Sequence, residues 1–210
     1  LTEMKEKYGD DRRTDITHAE GEVNMEDLVA DQPCIITISH VGYIKRVPID
    51  TYKAQRRGGK GVAAMATRDE DFVEHLFVAN THDTILFFTG EGRVYWEKVY
   101  EIPEASRTSR GKAIVNLLNI GNDEQIAAMI RVREYDANRF LLMATRNGIV
   151  KKTNLAQYSN VRQKGIIGIN IDEGDRLIEV KLTNGEDEVI LTTVNGMSIH
   201  FDEMQLRDQG

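Results

Sequence analysis

Arginine, lysine and glycine are concentrated in one short stretch of the chain, TYKAQRRGGKGV at residues 51–62. Glycine lets a backbone approach a ligand closely and expose its N–H groups, and arginine adds bidentate hydrogen bonds to phosphate oxygens. Between Tyr43 and Arg68 there are seven bases and a single acid, Asp50. The stretch therefore favours binding of a phosphate backbone. The residues predicted to bind phosphates, within this stretch and just before it, are Lys45, Arg46, Gln55, Arg56, Arg57, Gly58, Gly59, Lys60 and Gly61.

Two later loops repeat this basic bias, and the acids gather in other turns, at 69–74, 122–124, 172–175 and 186–188. The predicted binding residues of the later loops are Arg107, Arg110, Lys112, Lys151, Lys152, Arg162 and Lys164. No aromatic residue alternates with the bases to stack on single strands, and no helix is available to enter a major groove. The pattern predicts sequence-tolerant contact with the backbone of double-stranded DNA along one basic rim.

Catalytic and metal-binding patterns are missing from the sequence. Cys34 is the single cysteine, which excludes an intramolecular disulfide and a cysteine-based zinc cluster, and the five histidines form no HExxH motif. Gly58–Gly61 lacks the first glycine and the Ser or Thr of a phosphate loop, and Gly90-Glu91-Gly92 lacks the third glycine of a dinucleotide fingerprint. We therefore predict a binding module with no catalytic residue, metal or cofactor of its own.

Charge is distributed unevenly along the 210 residues. The net charge is −7, but residues 1–31 hold ten acids and four bases, a charge of −6, which leaves −1 for the remainder. Residues 1–31 are interpreted as the end of a helix followed by an acidic, flexible linker. No apolar run approaches the roughly 18 residues that a membrane helix needs, and a lone thiol favours a reducing cytoplasm.

From residue 32 onward, short β-type runs recur with turn glycines between them. The predicted strands are 34–39, 43–47, 62–67, 74–80, 84–89, 93–99, 113–120, 125–132, 139–145, 149–154, 165–171, 176–183, 188–193 and 197–201. A Ser or Thr stands three residues before each hairpin glycine, at Ser39/Gly42, Thr89/Gly92, Thr145/Gly148 and Thr193/Gly196. Asn-Gly at 147–148 and 195–196 is typical of a type I′ turn, in which both residues adopt positive φ.

A second landmark is a lysine in the middle loop of each unit, at Lys60, Lys112 and Lys164, with spacings of 52 and 52. Four strands per period of about 50 residues indicate an all-β, propeller-like fold of four-stranded blades. The predicted domain spans 32–210 with about three and a half blades, near 34–82, 84–137, 139–185 and an incomplete 188–210. The alternative is a β-sandwich whose strands recur by chance. The hairpin glycines and the middle-loop lysines are two independent landmarks that keep the same period, which argues against this alternative.

The basic stretch resembles a known family hallmark. QRRGGKG, residues 55–61, resembles the gyrase A box of the C-terminal domain of the bacterial DNA gyrase A subunit. KYGDDRRT, residues 7–14, resembles the segment that leads into that domain, and residues 72–111 are similar to the passage between its first two blades. The later loop at 107–112 keeps the basic character but departs from the box.

This resemblance implies a six-bladed β-pinwheel, a propeller-like disc with strands exchanged between blades, although only about three and a half repeats occur here. It implies a domain that wraps double-stranded DNA around its basic rim and presents a segment for strand passage in ATP-dependent negative supercoiling. The implied partners are DNA, the rest of the gyrase A subunit, and the gyrase B subunit in an A2B2 enzyme. ATP and Mg are implied to bind elsewhere in that enzyme, in the bacterial cytoplasm at the nucleoid.

Two other functions stay open from the sequence. The C-terminal domain of the topoisomerase IV A subunit belongs to a sister family with degenerate or absent boxes, and it implies DNA binding without strong wrapping. A propeller that serves as a protein-interaction scaffold is the second, and it predicts no dependence of DNA binding on salt.

Overall fold

The computed structural model describes residues 2–10, 14, 25–52, 71–121, 124–160, 162 and 164–210. The basic stretch at residues 53–61 and the predicted strand at 62–67 lie outside the described residues. Helices are few in the described part: α1 (Thr2–Tyr8), α2 (Met25–Leu28) and five short 3₁₀ helices. None of these helices is long and apolar enough to cross a membrane.

Thirteen strands form the rest of the regular structure in the described residues, in four antiparallel sheets, and they confirm the all-β prediction. The strands are β1 (Pro33–Ser39), β2 (Tyr43–Pro48), β3 (Val73–Asn80), β4 (Thr84–Thr89), β5 (Arg93–Lys98), β6 (Lys112–Ala113), β7 (Ile126–Val132), β8 (Phe140–Thr145), β9 (Val150–Asn154), β10 (Ile166–Ile167), β11 (Leu177–Thr183), β12 (Glu188–Thr192) and β13 (Ser198–Asp202).

Adjacent repeat units exchange strands. The first sheet has the order β3-β1-β2-β6, and the second has the order β10-β5-β4-β7. β6 belongs to the second unit and β10 to the third. One edge strand of each of these two sheets therefore comes from the following unit. The third sheet has the order β11-β8-β9, and β12 pairs with β13 in the fourth. We call the side of the first two sheets that β6 and β10 occupy the exchange edge.

The hairpin landmarks are confirmed by a recurring turn. The glycines at 42, 92, 148 and 196 have φ between 79° and 92°, conformations that favour glycine. In each hairpin the Ser or Thr hydroxyl three residues earlier accepts a hydrogen bond from the N–H that follows the glycine, at 3.1–3.3 Å. The type I′ expectation was wrong, because no described residue other than glycine has positive φ.

The predicted strands at 113–120 and 165–171 are also wrong in extent. Only Lys112–Ala113 and Ile166–Ile167 pair as strands, and a 3₁₀ helix at Ile114–Asn116 follows the first of them. Each of these two segments crosses to the preceding unit, where only two of its residues pair as a strand. Backbone hydrogen bonds from Ile114 to Gly42 and from Gly168 to Gly92 extend the contact. Apolar residues beyond the pairing, such as Ile114 and Leu118, are buried without being part of a strand.

The core lies between stacked sheets. Strand β4 is buried along its whole length, since Ile85 and Phe87 pack in one cluster and Leu86 and Phe88 in the other. The first cluster includes residues of the first sheet such as Ile36, and the second includes residues of the third sheet. A sheet buried on both faces explains why β4 is apolar throughout, and why no single unit forms a core alone.

Part of the predicted flexible linker packs against the end of the first unit and against the second unit. The Thr81 hydroxyl donates to the Ala30 carbonyl at 2.7 Å, and the Lys98 ammonium pairs with Glu26 at 2.8 Å. The Arg133 guanidinium pairs with Asp31 at 2.6 Å and holds the pKa of that carboxyl below its usual value. The acidic composition of residues 25–32 is therefore matched by cations of the folded part.

Candidate nucleic-acid interface

Two basic loops reach the exchange edge in the same way. Each loop enters its short strand through a glycine with positive φ, Gly111 (85°) before β6 and Gly165 (70°) before β10. A Cβ at Gly111 would overlap the Ile44 carbonyl oxygen, and one at Gly165 would lie 2.7 Å from the Tyr95 ring. Only glycine therefore lets the loop backbone lie this close to the preceding sheet.

The cations of these loops differ in exposure. Lys112, Arg162 and Lys164 are exposed. Arg107 and Arg110 are half-buried, and the Arg110 guanidinium lies over the Tyr43 ring at 5.3 Å from its centroid. All five predicted cations thus belong to the loops of the exchange edge, which is the arrangement expected of a basic rim.

The lysine landmark does not mark equivalent positions. Lys112 follows its positive-φ glycine, whereas Lys164 precedes its own. Arg110 and Lys164 are the equivalent pair, because each directly precedes the glycine that contacts the neighbouring sheet. The true repeat in the structure is the glycine, at 111 and 165, and the cation beside it varies in position.

Burial corrects the predicted role of two lysines. Lys45 is 0% exposed, and its ammonium donates to the carbonyl oxygens of Ser106 (3.0 Å), Arg107 (2.6 Å) and Ser109 (2.8 Å). Lys152 is 7% exposed and its ammonium donates to the Glu203 carbonyl at 3.1 Å. Neither ammonium faces solvent, so neither is a phosphate ligand in this conformation.

Two further predicted ligands are engaged inside the protein. The Arg46 guanidinium pairs with Glu104 at 2.9 Å and donates to the Ile102 carbonyl at 2.8 Å. Lys151 is half-buried and donates to the Gly168 carbonyl at 2.9 Å. A cation that already bonds an acid or a carbonyl has fewer donors left for phosphate, and the DNA-binding role of both residues stays a prediction.

One residue of this edge was missed by the sequence analysis. The Arg93 guanidinium donates to the Lys164 carbonyl at 2.6 Å and to the Tyr95 hydroxyl at 2.9 Å, so it holds the loop of the third unit against β5. The available signal was its place directly after the hairpin glycine, Gly92, which is the position of Tyr43 in the first unit. The seven residues from Gln55 to Gly61 lie outside the described part, and their role stays a prediction.

Acids at the strand opposite the exchange edge have a structural function. Asp71 and Asp175 each stand two residues before the last strand of a unit, β3 and β11 respectively. Each accepts a backbone N–H of the neighbouring hairpin turn, from Val41 and Asn147, at 3.1 and 2.9 Å. These acids, which the sequence grouped into turns, therefore cap hairpins at one edge, and the exposed cations of the basic loops collect at the other.

A cleft of about 680 Å³ opens at the exchange edge of the second sheet. Its lining includes Trp96, Glu97, Glu101, Arg162 and Lys164. Burial, and then the hydrogen bond and negative charge of Glu101, raise the pKa of Glu97 to about 8. Glu97 is therefore mostly protonated at neutral pH, in a cleft that Arg162 and Lys164 also line.

Neither a metal centre nor a reactive thiol is found in the described part. No three His, Cys, Asp or Glu side chains among those residues are grouped to hold a metal ion. Burial raises the pKa of the Cys34 thiol to about 11, and its Sγ donates to the Ala79 carbonyl at 3.2 Å. Cys34 is therefore a packed core residue with no thiolate character at neutral pH.

Sequence comparison identifies relatives over the whole chain. The chain is 46% identical over 210 residues to the DNA gyrase A subunit of Clostridium acetobutylicum, covering 100% of this chain and 25% of that protein. It is 48% identical over 207 residues to the DNA gyrase A subunit of Salmonella typhimurium, covering 99% of this chain and 24% of that protein. The chain thus spans about a quarter of the length of the curated relatives that it matches.

Solved structures share the fold. The crystal structure of the C-terminal domain of DNA topoisomerase IV has a TM-score of 0.73 at 34% identity, over 87% of this chain and 55% of that one. The structure of a DNA gyrase A C-terminal domain has a TM-score of 0.67 at 23% identity, over 85% of this chain and 57% of that one. Residues 35–80, 83–133 and 139–184 match the family described as "DNA gyrase C-terminal domain, beta-propeller". With three successive units matched and the strand-exchanged sheets in place, this chain belongs to the DNA gyrase C-terminal domain family.

Proposed function

We propose that this chain binds double-stranded DNA without sequence preference along its exchange edges, as the DNA-wrapping part of a bacterial DNA gyrase. The observation that carries the proposal is the placement of equivalent cations, Arg110 and Lys164, beside the glycines that deliver β6 and β10 to successive sheets. One such cation in each unit, repeated along a stack of sheets, suits the regular spacing of phosphates along a DNA backbone. Membership of the family supports the same function.

Membership of the family supports a wider role. In this proposal the chain presents a DNA segment for strand passage, together with the remainder of the gyrase A subunit and with the gyrase B subunit, in the bacterial cytoplasm. ATP hydrolysis, with its Mg, and DNA cleavage are assigned to parts of the enzyme outside this chain. Lys112 and Arg162 supplement the rim, and residues Gln55 to Gly61 are proposed as its first-unit contacts.

A salt titration tests the proposal. If the rim contacts phosphates, the logarithm of the affinity for duplex DNA falls linearly with the logarithm of salt concentration, by about 0.9 per phosphate contacted. Arg110→Ala with Lys164→Ala is expected to weaken binding about tenfold and to reduce the salt slope by about 2. Binding measured by fluorescence anisotropy on random duplexes gives both quantities.

The matched control removes two cations from the strand opposite the exchange edge. Lys181 lies in β11, Arg176 directly precedes the first residue of β11, and both side chains are exposed. Lys181→Ala with Arg176→Ala changes the net charge equally and should leave the salt slope within about 0.5 of the parent value. Equal losses in the two double variants would show a general charge effect and would contradict a localised rim.

A second candidate is DNA binding without strong wrapping, which the TM-score of 0.73 to the topoisomerase IV C-terminal domain favours. Ligation of nicked circular DNA in the presence of the chain separates the two functions. Positive writhe captured in the ligated circles supports wrapping, and salt-dependent binding with no writhe supports the second candidate. Binding that is insensitive to salt, or no binding, supports a protein-interaction scaffold.

A further inference from the structure

Lys45 is a buried cation whose hydrogen-bond acceptors all belong to one loop of the next unit. Its side chain is completely buried, and the three N–H groups of its ammonium are used by the carbonyl oxygens of Ser106, Arg107 and Ser109. A lysine ammonium has three donors, so this coordination is complete. Lys45 lies in β2 of the first sheet, and the loop leads into β6 at the edge of the same sheet.

The loop backbone converges on this ammonium. Two hydrogen bonds also close residues 106–111 on themselves, from the Ser109 N–H to the Ser106 carbonyl (3.1 Å) and from the Gly111 N–H to the Ser109 hydroxyl (3.2 Å). Three carbonyl groups that converge on one point repel each other unless a cation lies between them. The ammonium of Lys45 supplies that cation, and the loop backbone is wrapped around it.

The side chains of this loop are the rim cations of the second unit. Arg107, Arg110 and Lys112 follow one another along it, and Arg110 is further oriented over the Tyr43 ring. Burial, and secondarily the charge of Arg107, lower the pKa of Lys45, so keeping an ammonium here has a cost. In some proteins a buried charge that costs stability specifies one conformation.

We propose that Lys45 is the positioning residue of the rim: it contacts no DNA, and it holds the loop 106–111 in the conformation that presents Arg107, Arg110 and Lys112. This proposal rests on the proposed function. The second unit reaches the same result with other residues, since Tyr95 occupies the position of Lys45 and Arg93 holds the Lys164 carbonyl. The Tyr95 hydroxyl accepts a hydrogen bond from Arg93, and Arg93 in turn donates to the loop carbonyl. In both sheets a cation of the hairpin's second strand therefore holds a carbonyl of the incoming loop, which supports a common positioning role.

The test uses the whole chain and the variant Lys45→Met, which keeps the length of the apolar stem and removes the ammonium. We expect affinity for duplex DNA to fall about tenfold and the salt slope to fall by about 1–2, although the deleted charge is buried. Hydrogen exchange of the amides of residues 106–113 should become at least tenfold faster. Lys181→Met, at an exposed site in β11, is the control and should change none of these quantities.

A double-mutant cycle separates positioning from direct contact. If Lys45 acts through the loop, Lys45→Met should weaken binding less than twofold in a background that already carries Arg107→Ala and Arg110→Ala. Additive losses would mean that Lys45 acts independently of these arginines and would overturn the proposal. Unchanged exchange of residues 106–113 in Lys45→Met would overturn it whatever the DNA result, whereas a parent chain that does not bind DNA overturns the proposed function instead.

Lys45→Arg covers the case in which Lys45→Met does not fold. Arginine keeps the charge, but its planar donors cannot converge on three carbonyl oxygens around a single atom. We expect faster exchange of residues 106–113 and a smaller loss of DNA affinity than complete removal of the loop arginines causes. Parent-like exchange and affinity in Lys45→Arg would show that charge alone is needed, which would overturn a role based on geometry.

Discussion

The exchange edges of the first and second sheets share one backbone arrangement and differ in what covers them. In the first sheet, Arg46 of β2 forms a parallel bridge with Glu104, so the edge is covered beyond β6. Lys152 of β9 makes the same bridge with Asp208 in the third sheet. The position of Arg46 is occupied in the second sheet by Trp96, which is 36% exposed, and the edge there opens into the 680 Å³ cleft.

The difference shows which features the repeat requires. Positive-φ glycines and short exchanged strands recur, because they determine how close a loop lies to the preceding sheet. The side chains beside them differ between the two sheets. Buried Lys45 of the first sheet corresponds to Tyr95 of the second, and the Arg46–Glu104 pair of the first corresponds to the cleft with Glu97 and Glu101. The rim therefore has one section that the Arg46–Glu104 pair closes and a second section that opens into a cleft lined by Glu97 and Glu101.

The largest expected effect comes from breaking the backbone feature common to both edges. Gly111→Ala places a Cβ against the Ile44 carbonyl oxygen at a φ of 85°, and a backbone atom cannot move aside as a flexible side chain can. We expect a loss of about 3 kcal/mol or more in the free energy of unfolding, together with loss of β6 pairing. Urea denaturation and amide exchange of Lys112 measure the two effects.

The control for this substitution is a glycine with the same conformation in open space. Gly148 has a φ of 91°, and a Cβ added there would meet no atom within 4 Å beyond its chain neighbours. Gly148→Ala therefore reports the conformational cost alone, about 1–2 kcal/mol. Equal losses for the two substitutions would show that close approach at the exchange edge contributes nothing to stability.

A smaller effect is expected from opening the covered section of the first edge. Arg46→Ala removes the pair with Glu104 and the bond to the Ile102 carbonyl, while both backbone bonds of the bridge remain. Since the Arg46 side chain is only 15% exposed, we expect a loss of about 2 kcal/mol in the free energy of unfolding. Thermal denaturation followed by circular dichroism checks it.

The matched variant in the third sheet is Lys152→Met, which retains the apolar stem. It removes the hydrogen bond to the Glu203 carbonyl and the contact of the ammonium with the Phe140 ring. The expected loss is about 1 kcal/mol. Suppose that Arg46→Ala were no more destabilising than Lys152→Met. The bridge between Arg46 and Glu104 would then be held by its backbone bonds, and the replacement of Arg46 by Trp96 in the second sheet would not explain why the cleft opens there.

These comparisons also show why the sequence predicted hairpins well and the exchange edge poorly. A hairpin is local, so Ser39 and Gly42 together specify a turn that the structure contains. The partners of Lys45 lie more than 60 residues away and are carbonyl oxygens, which every residue has, so no sequence pattern marks them. The strands β6 and β10 are only two residues long, and their partners lie in another unit. The periodicity of the sequence therefore does not predict their pairing.

The smallest expected effect concerns the carboxyl groups of the cleft. The pKa of Glu97 is about 8 in the folded chain against an ordinary value of 4.5, so the folded state holds a proton that the unfolded state loses as pH rises from about 4.5 to 8. The contribution of Glu97 to stability is complete below pH 4.5, falls through this range and is lost above pH 8. Glu97→Gln imitates the protonated form and should remove this dependence.

We therefore expect Glu97→Gln to match the parent near pH 4.5 and to exceed it by about 1–2 kcal/mol above pH 8. This is less than the full shift would give at about 1.36 kcal/mol per unit, because the side chain is partly exposed to screening solvent. Urea denaturation from pH 4.5 to 9 measures the difference, with Glu186→Gln, an exposed site in the turn before β12, as the control. Parallel stability curves for Glu97→Gln and the parent would mean that Glu97 is ionised at neutral pH. The cleft that Arg162 and Lys164 line would then carry one more negative charge.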